Sequence, residues 1–313
     1  MPREESNAVA SLFESISKFG SLGEILALGS GFAWAVAVIV FRILGRKIHP
    51  LGLNLFKTVL AFVLILPTTL LLGQPLVPDA SSRNIALLLI SGIVGIAVSD
   101  TLFFESLNKI GASPLAIVDC LYSPFVIALS YLFLGERMTG WQLFGVVLII
   151  SAILAVARHR NDERLSPKDL AAGIILGVLA VFLVAVSIVM IKPVLDSTSV
   201  VGATEVRLFA GSAALALIVP FHPGRRRILS PLADFSNWRA LLPTSFFGSY
   251  LCLLLWLGGM KYARVSVAAA LNQLNAIFIV ILAAIFLKER LTPWKIIAVA
   301  LAFAGAYLAS KPL

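Results

Sequence analysis

The sequence predicts an all-α integral membrane protein whose ten transmembrane helices form two five-helix inverted repeats. Three observations lead to this prediction: the composition, the recurrence of long apolar stretches, and a short polar phrase that occurs twice. Of the 313 residues, 59% are hydrophobic and only 13% are charged, which leaves too little polar surface for a soluble protein. The chain is therefore predicted to be a multi-pass protein of the cell (plasma) membrane.

Apolar stretches long enough to cross a bilayer recur along the whole chain. A hydrocarbon core of about 30 Å requires about 20 apolar residues of α-helix. Helices are favoured over a β-barrel because each helix satisfies its own backbone hydrogen bonds in lipid, and because barrel strands are only about half as long. Ten stretches are predicted to span the membrane, at residues 24–44, 51–72, 84–107, 113–134, 140–157, 170–191, 200–220, 238–260, 264–287 and 293–310.

The polar segments around these stretches define the predicted domain organisation. An N-terminal tail or surface helix is predicted at residues 1–22, where acidic residues argue against a signal peptide. The first five-helix repeat is predicted at 23–157 and the second at 170–310, joined by a charged linker at 158–169 and followed by a C-terminal tail at 311–313.

The repeated polar phrase reads FLGERMTGW from Phe133 and FLKERLTPW from Phe286, 153 positions later. In each half it connects the fourth predicted helix to the fifth. A unit of five helices crosses the membrane an odd number of times, so a second copy must begin on the opposite side. The two halves are therefore predicted to be inverted relative to each other, an architecture that is typical of secondary transporters.

The chemistry of the phrase suits a tight turn between two helices. Thr139 and Thr292 are predicted to cap the helix that follows, and Gln142 is placed to complete a capping box with Thr139. Glu136 and Glu289 are interpreted as solvated charges of the turn.

Four features of the first half carry a family resemblance: a small residue followed by an acid, a Gly-Ala-Ser turn, a proline in the fourth helix and a Gly-Glu-Arg turn. They are Ser99-Asp100, Gly111-Ala112-Ser113, Pro124 and Gly135-Glu136-Arg137. The stretch that contains them, Gly95 to Ile150, resembles the repeat of EamA-type transporters of the drug/metabolite transporter superfamily. The second copy departs from this pattern, with Leu253, Ile277 and Lys288 at the positions that match Asp100, Pro124 and Gly135.

This resemblance implies a ten-helix carrier that moves small metabolites or amino acids, frequently outward. It also implies a cytoplasmic N-terminus, whereas the distribution of Lys and Arg between the predicted loops favours an external one.

Charged side chains inside predicted helices are the first candidates for a binding site, because each costs about 2.5 to 3.5 kcal/mol at bilayer depth. Counting 1.5 Å per residue places Lys57, Asp100 and Asp119 at about the same depth, near 10 Å from one face. Arg207 lies at a similar depth from the opposite face, as does Asn272. Glu205 is two residues before Arg207 and so points away from it around the helix.

Two interpretations of these charges are open. Lys57 and Arg207 can anchor an anionic group such as a carboxylate, while Asp100 or Asp119 receives an amine or a coupling proton. Alternatively, Lys57 pairs permanently with Asp100 or Asp119 to hold helices together. The predicted substrate-binding residues are Lys57, Asp100, Asp119, Tyr122, Arg207, Asn272 and Asn275.

Two further features concern the shape of the cavity and its movement. Pro124 is the predicted hinge, because proline removes a backbone hydrogen bond and kinks a helix. Aromatic residues within the predicted helices are candidates to line a pocket for a largely apolar solute. They are Trp34, Tyr122, Tyr250 and Trp256.

The predicted function is that of a secondary transporter, with export favoured, that works by alternating access between the two repeats. The alternative is a channel or facilitator for small solutes. A membrane enzyme is disfavoured because the sequence contains no HExxH or GxSxG motif, and a receptor because it would leave the charges inside the predicted helices without a role. No cofactor and no metal site is predicted. The predicted partners are a small-molecule substrate and membrane lipid but no nucleic acid, while a coupling proton, an exchange substrate and a homodimer are left open.

Overall fold

The structure, a computed structural model, describes residues 22–134, 139–158, 166–262, 271–272, 274–289 and 291–309. These residues are almost entirely helical, and no β-strand occurs among them. The all-α prediction is therefore confirmed for this part of the chain. Residues 1–21 of the predicted N-terminal tail, 159–165 of the linker and 311–313 at the C-terminus lie outside the described residues.

The first half contains seven α-helices, numbered here in chain order. They are α1 (Leu22–Leu44), α2 (Pro50–Leu71), α3 (Ser82–Gly92), α4 (Ser99–Ile110), α5 (Ala112–Asp119), α6 (Tyr122–Leu134) and α7 (Gly140–Arg158).

The described part of the second half also contains seven. They are α8 (Pro167–Ser197), α9 (Val200–Phe221), α10 (Arg225–Ala233), α11 (Phe235–Ser245), α12 (Cys252–Tyr262), α13 (Leu274–Phe286) and α14 (Pro293–Ala309).

Seven continuous segments of the described chain are long and apolar enough to cross a membrane, judged by length and composition. They are Leu22–Leu44, Pro50–Leu71, Ser82–Ile110, Ala112–Phe133, Pro167–Leu195, Val200–Phe221 and Phe235–Tyr262. Three shorter apolar helices fall within the other predicted stretches, at Gly140–Ala155, Leu274–Phe286 and Pro293–Leu308.

A π-helical segment interrupts the third apolar helix of each half. Ile93–Val98 joins α3 to α4, and Phe246–Leu251 joins α11 to α12. The two segments are separated by the same 153 positions as the repeated phrase, and Gly95 matches Gly248 at this offset. A π-helical turn is uncommon and frequently marks a functional site, so its recurrence is strong support for a structural repeat.

Helix packing is equivalent in the two halves. The first helix of each half packs on the third and fourth of the other, so α1 contacts α12 and α13 while α8 contacts α4 and α6. Corresponding helices also meet each other, as α2 with α9 and α7 with α14. Exchanging the halves reproduces this set of contacts.

The turns that carry the repeated phrase are capped as predicted. The backbone N–H of Thr139 donates to Gln142 Oε1 at 2.8 Å, and the backbone N–H of Gln142 donates to Thr139 Oγ1 at 3.3 Å. This reciprocal pair is a capping box. Thr292 Oγ1 accepts a hydrogen bond from the backbone N–H of Lys295 at 3.3 Å, so α14 is capped as well.

The interpretation of Glu289 as a solvated turn charge is wrong. Its Oε1 accepts from the backbone N–H of Ala112 at 3.0 Å, and its Oε2 accepts from the N–H and Oγ of Ser113 at 3.2 and 2.5 Å. The carboxylate binds there because the first N–H groups of α5 have no partner within the helix and carry the positive end of its dipole. Gly111, with φ of +88°, leaves room for it. Glu136 lies outside the described residues.

Candidate functional site

A cavity of about 160 Å³ lies between the two halves. Its walls come from α1, α2, α5, α6 and the π-interrupted α3–α4 helix of the first half, and from α8, α9, α13, Asn272 and the π-interrupted α11–α12 helix of the second. Neither α7 nor α14 contributes. This volume is close to the roughly 150 Å³ cavity that holds benzene in an engineered protein, so a small organic molecule fits.

All seven side chains predicted to bind substrate line this one cavity. They are Lys57, Asp100, Asp119, Tyr122, Arg207, Asn272 and Asn275. The depth count had singled out Lys57, Asp100, Asp119, Arg207 and Asn272, because polar groups at similar depth on neighbouring helices can face the same space.

Lys57 and Asp100 form an ion pair on the wall of the cavity. Lys57 Nζ lies 2.6 Å from Asp100 Oδ2, and the ammonium group also lies 5.6 Å from the centroid of the Phe104 ring. The Lys57 side chain is 4% exposed and that of Asp100 is 21% exposed. Of the two interpretations drawn from the sequence, permanent pairing of Lys57 with Asp100 therefore has direct geometric support.

Asn54, one helical turn before Lys57, holds the first π segment against α2. Its Nδ2 donates to the backbone carbonyls of Ile96 and Ala97 at 2.9 and 3.1 Å and to Thr101 Oγ1 at 2.9 Å. A π turn breaks the regular hydrogen-bond register, and a buried side-chain amide supplies donors for the carbonyls affected. Asn54 thereby fixes the register that presents Asp100 to Lys57.

Asp119 joins the first half to the second. Its Oδ2 accepts a hydrogen bond from Asn275 Nδ2 at 3.3 Å, across 156 positions of sequence. Asn275 Oδ1 has no hydrogen-bond partner among the described residues. The contact is long and single, so it is a link between the halves that a small displacement can break.

The helix that carries Asp119 is broken beside the cavity. α5 ends at Asp119, a turn covers Cys120 and Leu121, and α6 begins at Tyr122. Pro124, the predicted hinge, lies in the first turn of α6, where its missing N–H leaves the Cys120 carbonyl without the usual helical donor. The interruption therefore lies just before Pro124 rather than at it.

Arg207 is the most deeply buried charge on the cavity, with 1% of its surface exposed. Its Nε and Nη1 have no hydrogen-bond partner among the described residues, and Nη2 lies 3.5 Å from Ser187 Oγ. Glu205 does not line the cavity; its Oε2 accepts a hydrogen bond from Thr69 Oγ1 at 2.6 Å. The expected separation of Glu205 and Arg207 around their helix is therefore confirmed.

Aromatic rings cover the apolar part of the wall. Trp34 packs against Phe103 with ring centroids 5.4 Å apart, and Tyr122 against Trp256 at 6.3 Å. The expectation that Tyr250 lines the same pocket is wrong. Tyr250 lies on the second π segment and is partly buried away from the cavity, where its hydroxyl hydrogen-bonds Thr68 Oγ1 at 2.5 Å.

Sequence reasoning missed several small polar side chains of the cavity. Ser249, on the second π segment, has a buried hydroxyl without a hydrogen-bond partner among the described residues. Ser30 Oγ and Cys252 Sγ lie 3.4 Å apart on the same wall. The sequence does contain one signal for Ser249: it follows Gly248, which matches Gly95 at the 153-position offset between the two halves.

The described residues hold no group of three or more His, Cys, Asp or Glu side chains that could bind a metal ion. What they do assemble is a small cavity with an ion pair, hydrogen bonds between the halves such as the one from Asn275 to Asp119, and an arginine whose guanidinium is largely free.

Comparison with known proteins places this geometry in a family. The model of the EamA-like transporter family matches residues 21–158 and again residues 171–311. An Archaeoglobus fulgidus protein named "Uncharacterized transporter" is 24% identical over 274 residues, which cover 86% of this chain and 90% of the relative. The Bacillus subtilis (strain 168) protein "Uncharacterized transporter YxxF" is 27% identical over 151 residues. That match covers 46% of this chain and about half of the relative, 48%.

A protein of known crystal structure has the same fold. It superposes with a TM-score of 0.65 over 90% of this chain and 96% of its own, at 17% sequence identity. The family model matches both halves of the chain, and the relatives are named as transporters rather than enzymes. Together with the apolar helices, these matches show that the chain is a multi-pass protein of the plasma membrane and belongs to the EamA-like transporter family.

Proposed function

We propose that the protein is a secondary transporter that exports small metabolites by alternating access, with the cavity between its halves as the solute site. The observation that carries the proposal is the cavity itself, since helices from both halves enclose it and charged side chains line it. Secondary transporters bind their solutes at such a seam, close to the interruptions in their helices.

The proposed architecture is ten spans in two inverted repeats. Three observations support it. The family model matches two successive stretches, the two π segments are separated by the same 153 positions as the repeated phrase, and the set of helix contacts is unchanged when the halves are exchanged. Because each half has five apolar helices, an odd number, the second half must run in the opposite direction through the membrane.

Movement of one half against the other requires contacts that can break. The single hydrogen bond between Asp119 and Asn275 is of this kind, and the interruption between α5 and α6 lies beside it. The Lys57–Asp100 pair lies within the first half and would move as a unit with it. Rocking of the halves would thus open the cavity first to one side of the membrane and then to the other.

Alternating access predicts that one cavity residue can be reached from both sides of the membrane. Ser249 is suited to this test, because its hydroxyl lines the cavity without a hydrogen-bond partner among the described residues. We expect Ser249→Cys, in a chain carrying Cys120→Ala and Cys252→Ala, to react with a charged, impermeant thiosulfonate in right-side-out and in inverted vesicles. The measurement is the rate of modification in each.

A matched control is Ser151→Cys on α7, which does not contribute to the cavity. Its reaction rate is expected to differ from that of Ser249→Cys in both vesicle preparations. Modification of Ser249→Cys from one side only would contradict alternating access. Saturable exchange of a labelled solute across proteoliposomes would then separate a carrier from a channel.

A further inference from the structure

We infer that Arg207 is the subsite for a carboxylate group of the transported solute, and that Lys57 is not. This inference rests on the proposed function and adds the chemical class of the solute to it. The solute would be a small monoanion with a compact apolar body.

The first step of the argument is the state of the Arg207 guanidinium. A guanidinium carries five N–H donors, and a buried one is normally paired with an anion or fully hydrogen-bonded. Among the described residues Arg207 makes no salt bridge, and its single side-chain hydrogen bond is the long one to Ser187. Most of its donors are therefore available inside a largely apolar cavity.

The second step is the contrast with Lys57. Its ammonium lies 2.6 Å from Asp100 Oδ2, so that pair contributes no net charge to the cavity. Asp100 is near enough to act electrostatically on Arg207 as well, but its short contact is with Lys57. Arg207 is then the cation on the described cavity wall that has room for an anionic ligand.

The third step concerns the rest of the wall. Buried polar atoms without hydrogen-bond partners among the described residues occur on Tyr122, Ser249 and Asn275 as well, and all three residues line the cavity. Such atoms destabilise a protein unless a ligand or water satisfies them. The apolar part of the wall includes Trp34, Phe103 and Trp256, while the Asp119 carboxylate on the same wall already accepts a hydrogen bond from Asn275.

Together these features match a ligand that is a monocarboxylate. A single guanidinium matches the single charge of a carboxylate and its planar geometry. A cavity of about 160 Å³ limits the rest of the molecule to about the size of a phenyl ring. Inorganic phosphate, with a higher charge and no apolar part, is a poor match.

Benzoate and benzamide make a matched pair of probes, because they have nearly the same shape and differ in charge. Purified full-length protein in detergent can be followed on heating with a thiol-reactive dye, since both cysteines are buried in the folded protein and unfolding exposes the thiol of Cys120, which does not line the cavity. We expect benzoate to raise the melting temperature of the wild-type protein in a saturable manner, and benzamide and inorganic phosphate to leave it unchanged.

Substitution of the arginine gives the second readout. We expect Arg207→Gln to weaken benzoate binding by about tenfold or more, the ratio that corresponds to loss of a hydrogen bond to a charged group, and Arg207→Lys to weaken it less. The control is Arg226→Gln, which removes an exposed arginine on α10 and is expected to bind benzoate as the wild-type protein does.

The inference is overturned if wild-type protein binds benzamide as well as benzoate, if it is stabilised by phosphate instead, if benzoate causes no shift, or if Arg207→Gln binds benzoate normally. The accessibility of Ser249→Cys needs no solute. Two-sided access without benzoate binding would therefore reject the carboxylate subsite and leave the proposed transporter in place.

Discussion

Replacing Lys57 with methionine is expected to destabilise the protein by about 3 to 5 kcal/mol, because it leaves the Asp100 carboxylate unpaired at membrane depth. The effect should fall near the lower end of this range, since Asp100 is 21% exposed and can take up a proton or water from the cavity. The measurement is the loss of melting temperature in detergent, reported by the same thiol-reactive dye.

The double variant Lys57→Met/Asp100→Asn separates pairing from other effects. If the two side chains interact mainly with each other, removing both charges should restore most of the stability lost by Lys57→Met alone. A double variant no more stable than the single one would show that the ion pair is not what Lys57 contributes. Lys109→Met is the control, because the ion pair that Lys109 makes among the described residues is a long, partly exposed one of 3.9 Å with Glu105, which should contribute less than about 1 kcal/mol.

The same variants decide the functional question about Lys57. If the pair holds α2 against the π-interrupted helix and does nothing else, the double variant should retain benzoate binding while Lys57→Met reduces it through loss of folded protein. Loss of benzoate binding in a well-folded double variant would instead favour the interpretation in which Lys57 anchors the solute.

Gly92→Ala is expected to have the second large effect and to lower the free energy of unfolding by about 1 to 3 kcal/mol or more. A Cβ at Gly92 would overlap the backbone carbonyl of Arg207, so α3 and α9 could not approach as closely. The Arg207 backbone cannot relieve this overlap by a change of rotamer, as a side chain could. Any separation of α9 would also shift the Arg207 guanidinium, so we expect benzoate binding to fall together with the melting temperature.

Gly29→Ala is the matched control for this substitution. Gly29 also lies inside a helix, but the nearest atom to an added Cβ is Leu255 Cδ1 at 3.8 Å, an ordinary van der Waals contact. Alanine should therefore be neutral there or stabilise the helix by up to about 1 kcal/mol. Equal losses at Gly29 and Gly92 would contradict the close approach of α3 to α9.

Much of this fold could be predicted from the sequence because membrane insertion imposes simple rules. Apolar length alone predicted the helical stretches, and the repeated phrase indicated two related halves, which is consistent with the two successive family matches. The depth of Lys57, Asp100 and Asp119 along their helices predicted that they meet, since charges buried at one depth in a bundle must converge on polar space. The same reasoning applied to Arg207 and Asn272 of the second half.

Other features depend on the three-dimensional arrangement and could not be predicted. Glu289 binds the N-terminal end of α5, 176 positions away in the sequence, and no local pattern identifies this partner. Depth alone could not decide whether Lys57 contacts Asp100 or Asp119, because that choice depends on rotation of the helices. The π segments change this rotation, and on the second of them Ser249 lines the cavity whereas Tyr250 does not.

The central claim is that the two halves are inverted repeats that enclose one solute site. It is tested most directly by labelling the two turns that correspond in the repeat, with Gly140→Cys at the start of α7 and Leu291→Cys between α13 and α14, each in the chain carrying Cys120→Ala and Cys252→Ala. An impermeant maleimide added to intact cells is predicted to modify one of the two cysteines and to reach the other only after the membrane is opened. Modification of both from the same side would contradict the inverted arrangement and the account of transport built on it.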